Sequence, residues 1–484
     1  MFYSSELHLI EVSGPILSLH VIEMLLESVE QDRLHRPAVE TALRSPTGKK
    51  DKSEAAASGA AEVEQTPRYK RPFQALLQLR ALEALRHREY RLIWYGQIFA
   101  SMGTWMDQVT RGWLIYELTN SALQLGLVRG IQAIPFLLLS PVAGSAADRY
   151  SRKMQVVLAQ IANGFLYGAT AALIFTGEIQ AWHVYVASFL LAVVQVFLQP
   201  ARAAMISDTV PDGKLTNAIG LNAVVFNVAR STGPALAGLL IAKFGTGGAY
   251  FVQAVFFFLA TVWTMQLQSA NRTYPGSHGI TVQRGTFRQS IVEGWKFSWT
   301  NEAVRTSLLI VMFASLFIVP FTTLLPVFAR DILGVGASGQ GLLLAAMGVG
   351  ALCSAILIAS VGDQLPRGML MLGGVMIYGI MNVMFAASVW FGLSLVLMAA
   401  VGFCHVHSHA LVQTVIQSYS PAEFRGRAIA IFHLSQVVMT VGSMLFGALS
   451  SVIGAQWTVA AMGAVGTLTM VTVHVALPRA RLIR

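Results

Sequence analysis

Asp107 and Arg111 stand four residues apart inside a long run of hydrocarbon side chains, so on a helix they share a face and can pair. Arg129 enters the next apolar run at similar depth. Asn227 and Arg230 lie one turn apart near the middle of a later run, just before Gly233-Pro234. His405, His407 and His409 alternate within another, with His405 and His409 on one helical face, and His433 follows at comparable depth in the next run. An ionisable side chain at mid-bilayer costs roughly 2.5–3.5 kcal/mol on insertion scales, so such residues face a cavity or a partner. The chemistry open to them is charge pairing, proton transfer and recognition of a polar cargo. For Asp107, Arg111 and Arg129 the plainer alternative is snorkelling to the headgroups; for the histidines it is hydrogen bonding between helices. Metal binding needs further convergent ligands, and no carboxylate or Cys pattern supplies them.

These residues depend on helices that cross a bilayer. The chain has 484 residues, 55% hydrophobic and only 12% charged, which sets it apart from ordinary soluble domains. A bilayer core of about 30 Å takes about 20 apolar residues per helix. About twelve such spans follow Leu92, near 92–116, 123–147, 154–176, 182–204, 216–243, 248–268, 305–329, 338–361, 369–390, 392–414, 427–453 and 456–477. Of the 34 Lys and Arg residues, 29 fall in the tails and one alternating set of loops; Lys243 and Arg330 fall in the other set, and Arg111, Arg129 and Arg230 lie inside runs. That asymmetry predicts a multi-pass inner-membrane protein with both termini cytoplasmic. The net charge of +10 is spread over these loops and tails, where it faces anionic headgroups rather than nucleic acid. Cys353 and Cys404 sit within apolar runs, so no disulfide framework is expected. Glu6 and Glu11 stand where a signal peptide would be basic, and none is expected.

Residues 1–88 read as a disordered cytoplasmic tail, rich in Ala, Ser, Glu, Lys and Arg from Gln31 to Tyr69. The remainder divides into a six-helix bundle over 89–268, a linker over 269–304 and a second six-helix bundle with a short tail over 305–484. The linker's Phe287, Ile291, Trp295 and Trp299 share a helical face, with Arg288 and Lys296 alongside, which predicts a helix lying in the membrane interface. The halves carry matched landmarks: Gly144–Lys153 after span two against Ala359–Gly368 after span eight, and Gly233–Gly238 in span five against Gly442–Gly447 in span eleven. An all-α membrane fold of two pseudo-symmetric bundles in parallel orientation is the layout of two-halved secondary transporters.

With those landmarks in place, the chain resembles the major facilitator superfamily over residues 88–477. Gly144, Asp148, Arg149, Arg152 and Lys153 match the superfamily's loop between the second and third helices, with Ala146 where Leu is common and Ser151 where Gly is common. Asp363 and Arg367 remain in the second copy, where Gln364 and Gly368 replace bases. Tyr90–Gln97, Trp113–Ser121, Asn217-Ala218 with Arg230 and Gly233-Pro234, and Phe424–Arg427 are similar to the bacterial enterobactin-exporter and macrolide-efflux branch. The resemblance implies a proton-coupled exporter of a small organic molecule, a monomer working by alternating access, with the loop as a gate. Gly144 then permits close helix approach, and Gly233, Pro234 and Gly238 resemble an exporter packing motif. Three interior cations against one carboxylate favour an anionic, phenolic or neutral cargo. Asp107, the one carboxylate placed inside a span, is the first candidate for proton coupling, with His405, His409 and His433 behind it. No G-x-x-x-x-G-K-[ST] loop is present, which argues against ATP-driven transport, and no cofactor is called for. An importer of the same fold, a membrane enzyme built on the span-ten histidines and a transporter-like sensor remain the rival readings.

Overall fold

The structure, a computed structural model, describes residues 80–210, 214–268, 287–361 and 367–476. All of them belong to the compact unit Arg68–Arg484. Among the described residues every regular element is helical. A bilayer leaves no other choice for an open chain, because each backbone polar group must be satisfied inside its own segment.

The first group comprises α1 (Arg88–Thr119), α2 (Ala122–Arg149), α3 (Arg152–Phe175), α4 (Ala181–Asp208) and α5 (Leu215–Met265). After α6 (Phe287–Thr300) comes a second group of α7 (Glu302–Phe317), α8 (Gly336–Val361), α9 (Arg367–Ala387), α10 (Phe391–Tyr419), α11 (Ala422–Ile453) and α12 (Ala455–Ala476). The α2–α3 and α4–α5 connections carry basic residues and mark what is called here the basic end; the α1–α2 turn marks the far end.

Two departures from a plain run of twelve rods matter for the site. The 51 residues of α5 contain one non-helical residue, Gly245, at φ 70° and ψ 177°, a conformation open to glycine and strained for other residues. The arm before it runs parallel to α1: Tyr90 donates to the Ala218 carbonyl at 2.7 Å, and Gly233 meets Trp105. The arm after it runs antiparallel: Gly103 meets Phe257, and Gly96 meets the Ala260 carbonyl. α5 is therefore a hairpin that crosses twice. The span expected over 305–329 is broken as well. Its α-helix stops at Phe317 and gives way to a 3-10 segment, Val319–Leu324, then one α-turn and a π-turn, Phe328–Ile332. Pro320 and Pro326 each remove a helical donor there.

Among the described residues, ten helical segments are long and apolar enough to cross a membrane. α1 is not among them, since Gln97, Ser101, Asp107, Thr110 and Arg111 dilute its apolar content, yet all five are buried. α1 lies against both arms of α5, so its polar face points into the protein rather than at lipid. With α1 and the second arm of α5 the crossings number about twelve, as read from the sequence.

The packed chain starts earlier than residue 89. Arg80–Arg86 form a 3-10 helix in which Ala84 is fully buried and its N–H donates to Asn217 Oδ1 at 2.9 Å, while Lys214 pairs with Glu83 at 2.6 Å. The tail reading up to residue 79 lies outside the described residues. The linker does hold a helix, α6, whose Trp295 and Trp299 rings stack 6.0 Å apart and are about half exposed. It docks on the start of α11 through Glu293–Arg427 at 2.8 Å and Phe297 stacked on Phe424. The side chains of Phe287, Arg288 and Ile291 lie outside the described residues.

The two groups meet along two seams, α2 with α11 and α5 with α8, both glycine-lined at the far end. A Cβ at Gly126 would lie 2.6 Å from the Ser443 carbonyl, and one at Gly447 2.9 Å from that of Ala122. On the other seam, a Cβ at Gly238 would lie 2.5 Å from the Ala337 carbonyl, and Gly341 abuts the Pro234 carbonyl. Small residues let backbones approach this closely where lipid gives no hydrophobic drive.

Candidate functional site

The first polar cluster is set by the i, i+4 spacing on α1. Arg111 donates to Asp107, and the side-chain amide of Gln132 on α2 lies against its guanidinium. Asp107 is 4% and Arg111 9% exposed, so Arg111 is held in the protein and does not run to the headgroups. The other Asp107 oxygen, Oδ1, is buried and has no hydrogen-bond partner among the described residues. Arg129 stands near enough for its charge to be felt at Asp107. Arg111 is thus the carboxylate's ion-pair partner among the described residues, and Thr110, one turn from Asp107, accepts from Gln253 at 2.9 Å.

A second cluster spans both groups. Arg230, half-buried on the first arm of α5, lies over the Trp105 ring at 5.6 Å. Its charge is felt at Tyr378 of α9 and at His405 and His409 of α10. The rings continue in a line: Tyr378 to His405 at 5.6 Å, His405 to His409 at 5.8 Å, His409 to Phe432 at 4.9 Å and Phe432 to His433 at 5.4 Å. His407 turns away and stacks on Phe403. No acid among the described residues enters this line. Among them, too, no group of three His, Cys, Asp or Glu side chains is disposed to hold a metal. A guanidinium, aromatic faces and imidazoles together suit a ligand with negative charge and flat apolar surface. Asn227, one turn before Arg230, donates to its own helix at Ala223 at 2.8 Å.

At the basic end, Arg152 donates to both Asp208 oxygens at 2.7 Å, joining the start of α3 to the end of α4. Lys153 donates to the Leu267 carbonyl beyond α5. Gln155 caps α2 through the Ala146 carbonyl at 2.9 Å. These ties lie inside the first group. Arg149 is exposed, and Arg367 opens α9. The side chain of Asp148 and the whole of Asp363 lie outside the described residues. Among the described residues nothing lies within 4 Å of a Cβ built on Gly144, so the close helix approach expected there is not found among them. Gly233 and Gly238 do pack closely, against Trp105 and against Ala337 respectively, and Pro234 sits buried between them.

Several contributors were not legible beforehand. At the far end Tyr116 donates to Asp331, Arg330 donates to Asn120 Oδ1 at 2.5 Å and its guanidinium lies over the Tyr116 ring at 5.1 Å. These contacts join α1 to the π-turn of the second group. Trp105 and Tyr378 were hidden among apolar neighbours. Arg202, counted among the loop cations, proves 8% exposed.

Among relatives, the multidrug efflux pump Tap of Mycolicibacterium fortuitum is 26% identical over 400 residues, covering 81% of this chain and 96% of its own. The staphyloferrin A transporter of Staphylococcus aureus is 22% identical over 377 residues, covering 75% and 89%. Among solved structures, a bacterial homologue of the human lysosomal transporter Spinster superposes with a TM-score of 0.62 at 15% identity, covering 82% of this chain and 96% of that one. A D-xylose–proton symporter gives 0.61 at 13% identity, covering 80% and 96%. The pattern of the transmembrane secretion effector family matches residues 80–482. The chain therefore belongs to that family, within the major facilitator superfamily, and is a multi-pass membrane transporter.

Proposed function

We propose that this protein exports an anionic or neutral organic molecule across the cytoplasmic membrane, with proton entry as the driving reaction, by rocking its two helix groups about the Arg230 cluster. The basic end faces the cytoplasm in this reading, as the positive-inside rule requires. Both seams are tight at the far end, where Tyr116, Asn120, Arg330 and Asp331 add polar contacts, so the state described is closed outward. Export is supported by kinship with two proteins named for efflux and transport, and by Gly233-Pro234 packed into the α1 face. Asp107 is the coupling carboxylate in this scheme: protonation would release Arg111 and Arg129 from it, and the two cations would then seek other partners.

The observation that carries the cargo class is the line from Arg230 through Tyr378, His405 and His409, in which no described acid balances the guanidinium. A lipophilic cation would meet like charge there; an acid or phenol would not. The test is binding and counterflow with purified protein in proteoliposomes, using aromatic acids and lipophilic cations of matched size. Acids should bind tighter and lose that advantage in Arg230→Ala. Tighter binding of cations, lost in the same variant, would sink the reading.

A further inference from the structure

On the basic side of Trp105 lies a cavity of about 420 Å³ that meets the Arg230 cluster only at the Trp105 ring. Three helices each give it one face. Gln195, Gln199 and Arg202 are spaced i, i+4, i+7 on α4; Gln97 and Trp105 lie two turns apart on α1; Asn222 stands on the first arm of α5. The volume falls within the range of small-molecule sites. Phe226 sets its edge against the Trp105 ring at 5.3 Å, making one apolar wall.

Arg202 is the unusual member. It is more than nine-tenths buried, its Nη2 has no hydrogen-bond partner, and among the described residues no acid is paired with it. Asp208, one and a half turns further along α4, is already held by Arg152. A buried guanidinium without a counter-charge is costly unless something in its working cycle satisfies it. The amides around it can donate further hydrogen bonds, and a carboxylate or phosphate matches the guanidinium fork in shape and charge. Trp105 is shared, since its ring lines this cavity and also carries Arg230.

We infer that the Arg202 cavity is a second organic-anion site, in which the acid group of an amphiphile is held by Arg202 with Gln195, Gln199 and Asn222 while its flat apolar body lies along Trp105 and Phe226. As a waiting position on the way to Arg230 it rests on the transport reading above; as a binding site it does not. The same fork would accept the phosphate of an anionic lipid, and the experiment separates the two sources.

Purified full-length protein in phosphatidylcholine nanodiscs is titrated with 2-naphthoate and with its uncharged amide, 2-naphthamide. The acid is expected to bind at least tenfold tighter than the amide. Arg202→Gln should reduce that preference to less than twofold, and Arg202→Lys should keep part of it. Should Arg202→Gln fail to fold, Gln199→Glu supplies an internal carboxylate beside the guanidinium and is expected to expel naphthoate. Replacing a third of the lipid by phosphatidylglycerol should leave naphthoate affinity within twofold; a tenfold fall overturns the free acid as occupant and gives the site to a lipid phosphate. Equal affinity for acid and amide in the unaltered protein, or retention of the preference in a folded Arg202→Gln variant, overturns the inference. Arg230→Gln run in parallel distinguishes the failures: loss of the preference there but not in Arg202→Gln leaves the central site standing alone, whereas a preference lost in Arg202→Gln together with no counterflow in proteoliposomes removes the transport reading and not this one.

Discussion

Replacing Gly238 by leucine tests whether the α5–α8 seam sets closure of the far end. A Cβ at Gly238 would stand 2.5 Å from the Ala337 carbonyl and 3.1 Å from both Gly341 Cα and Ser338 Cα. Those are backbone atoms that no rotamer change can move. The carbonyl contact falls about 0.9 Å short of the 3.4 Å of an ordinary van der Waals approach, so the two helices must part by about that much. Overpacking of this kind costs about 1–3 kcal/mol. Since the strain exists only while the seam is shut, it shifts the balance between closed and open far ends by roughly 5- to 150-fold. The assay is pulsed electron resonance between spin labels at Glu178→Cys and Val389→Cys, exposed positions beside the α3–α4 and α9–α10 turns, with Cys353 and Cys404 replaced by alanine. Gly238→Leu should move the distance distribution to longer values. Gly373→Leu, whose added Cβ meets nothing within 4 Å, should leave it unchanged. A folded Gly238→Leu protein with the unaltered distribution would refute the seam argument.

Two further outcomes follow from the polar contacts. Asp107→Asn leaves Arg111 without its carboxylate, and breaking a buried pair by one partner costs about 3–5 kcal/mol, so the variant should melt early and Asp107→Asn/Arg111→Gln should recover much of the loss. The single variant, where folded, should bind cargo yet show no gradient-driven flux in proteoliposomes; undiminished flux would remove Asp107 from coupling. Arg152 is about a third exposed, so its pair with Asp208 is discounted for solvent screening to roughly 0.5–1 kcal/mol. Arg152→Gln should lower the melting midpoint by roughly 1–3 °C, and exchanging the pair as Arg152→Asp/Asp208→Arg should restore most of it; no coupling in that cycle would show the bridge to be idle.

Apolar length and the distribution of Lys and Arg determined the membrane class, the number of crossings and the sidedness expected, because the bilayer imposes both rules on any chain. Local spacing likewise exposed the Asp107–Arg111 pair and the shared face of His405 and His409, since i and i+4 are neighbours on any helix. Tertiary structure decided the rest. Arg202 ends an apolar run and so looks like a topology charge; only the packing of α1, α4 and α5 shows that it is enclosed. Gly144 and Gly238 are alike as letters, yet one has no close neighbour among the described residues and the other meets a carbonyl of α8. Trp105, Tyr378 and Phe432 read as hydrocarbon until residues far apart in the chain are brought beside Arg230, His405 and His409. The physical reason is that hydropathy and periodicity are properties of one segment, whereas a site in a helical membrane protein is made where several segments converge, and that convergence is fixed by backbone contacts between helices.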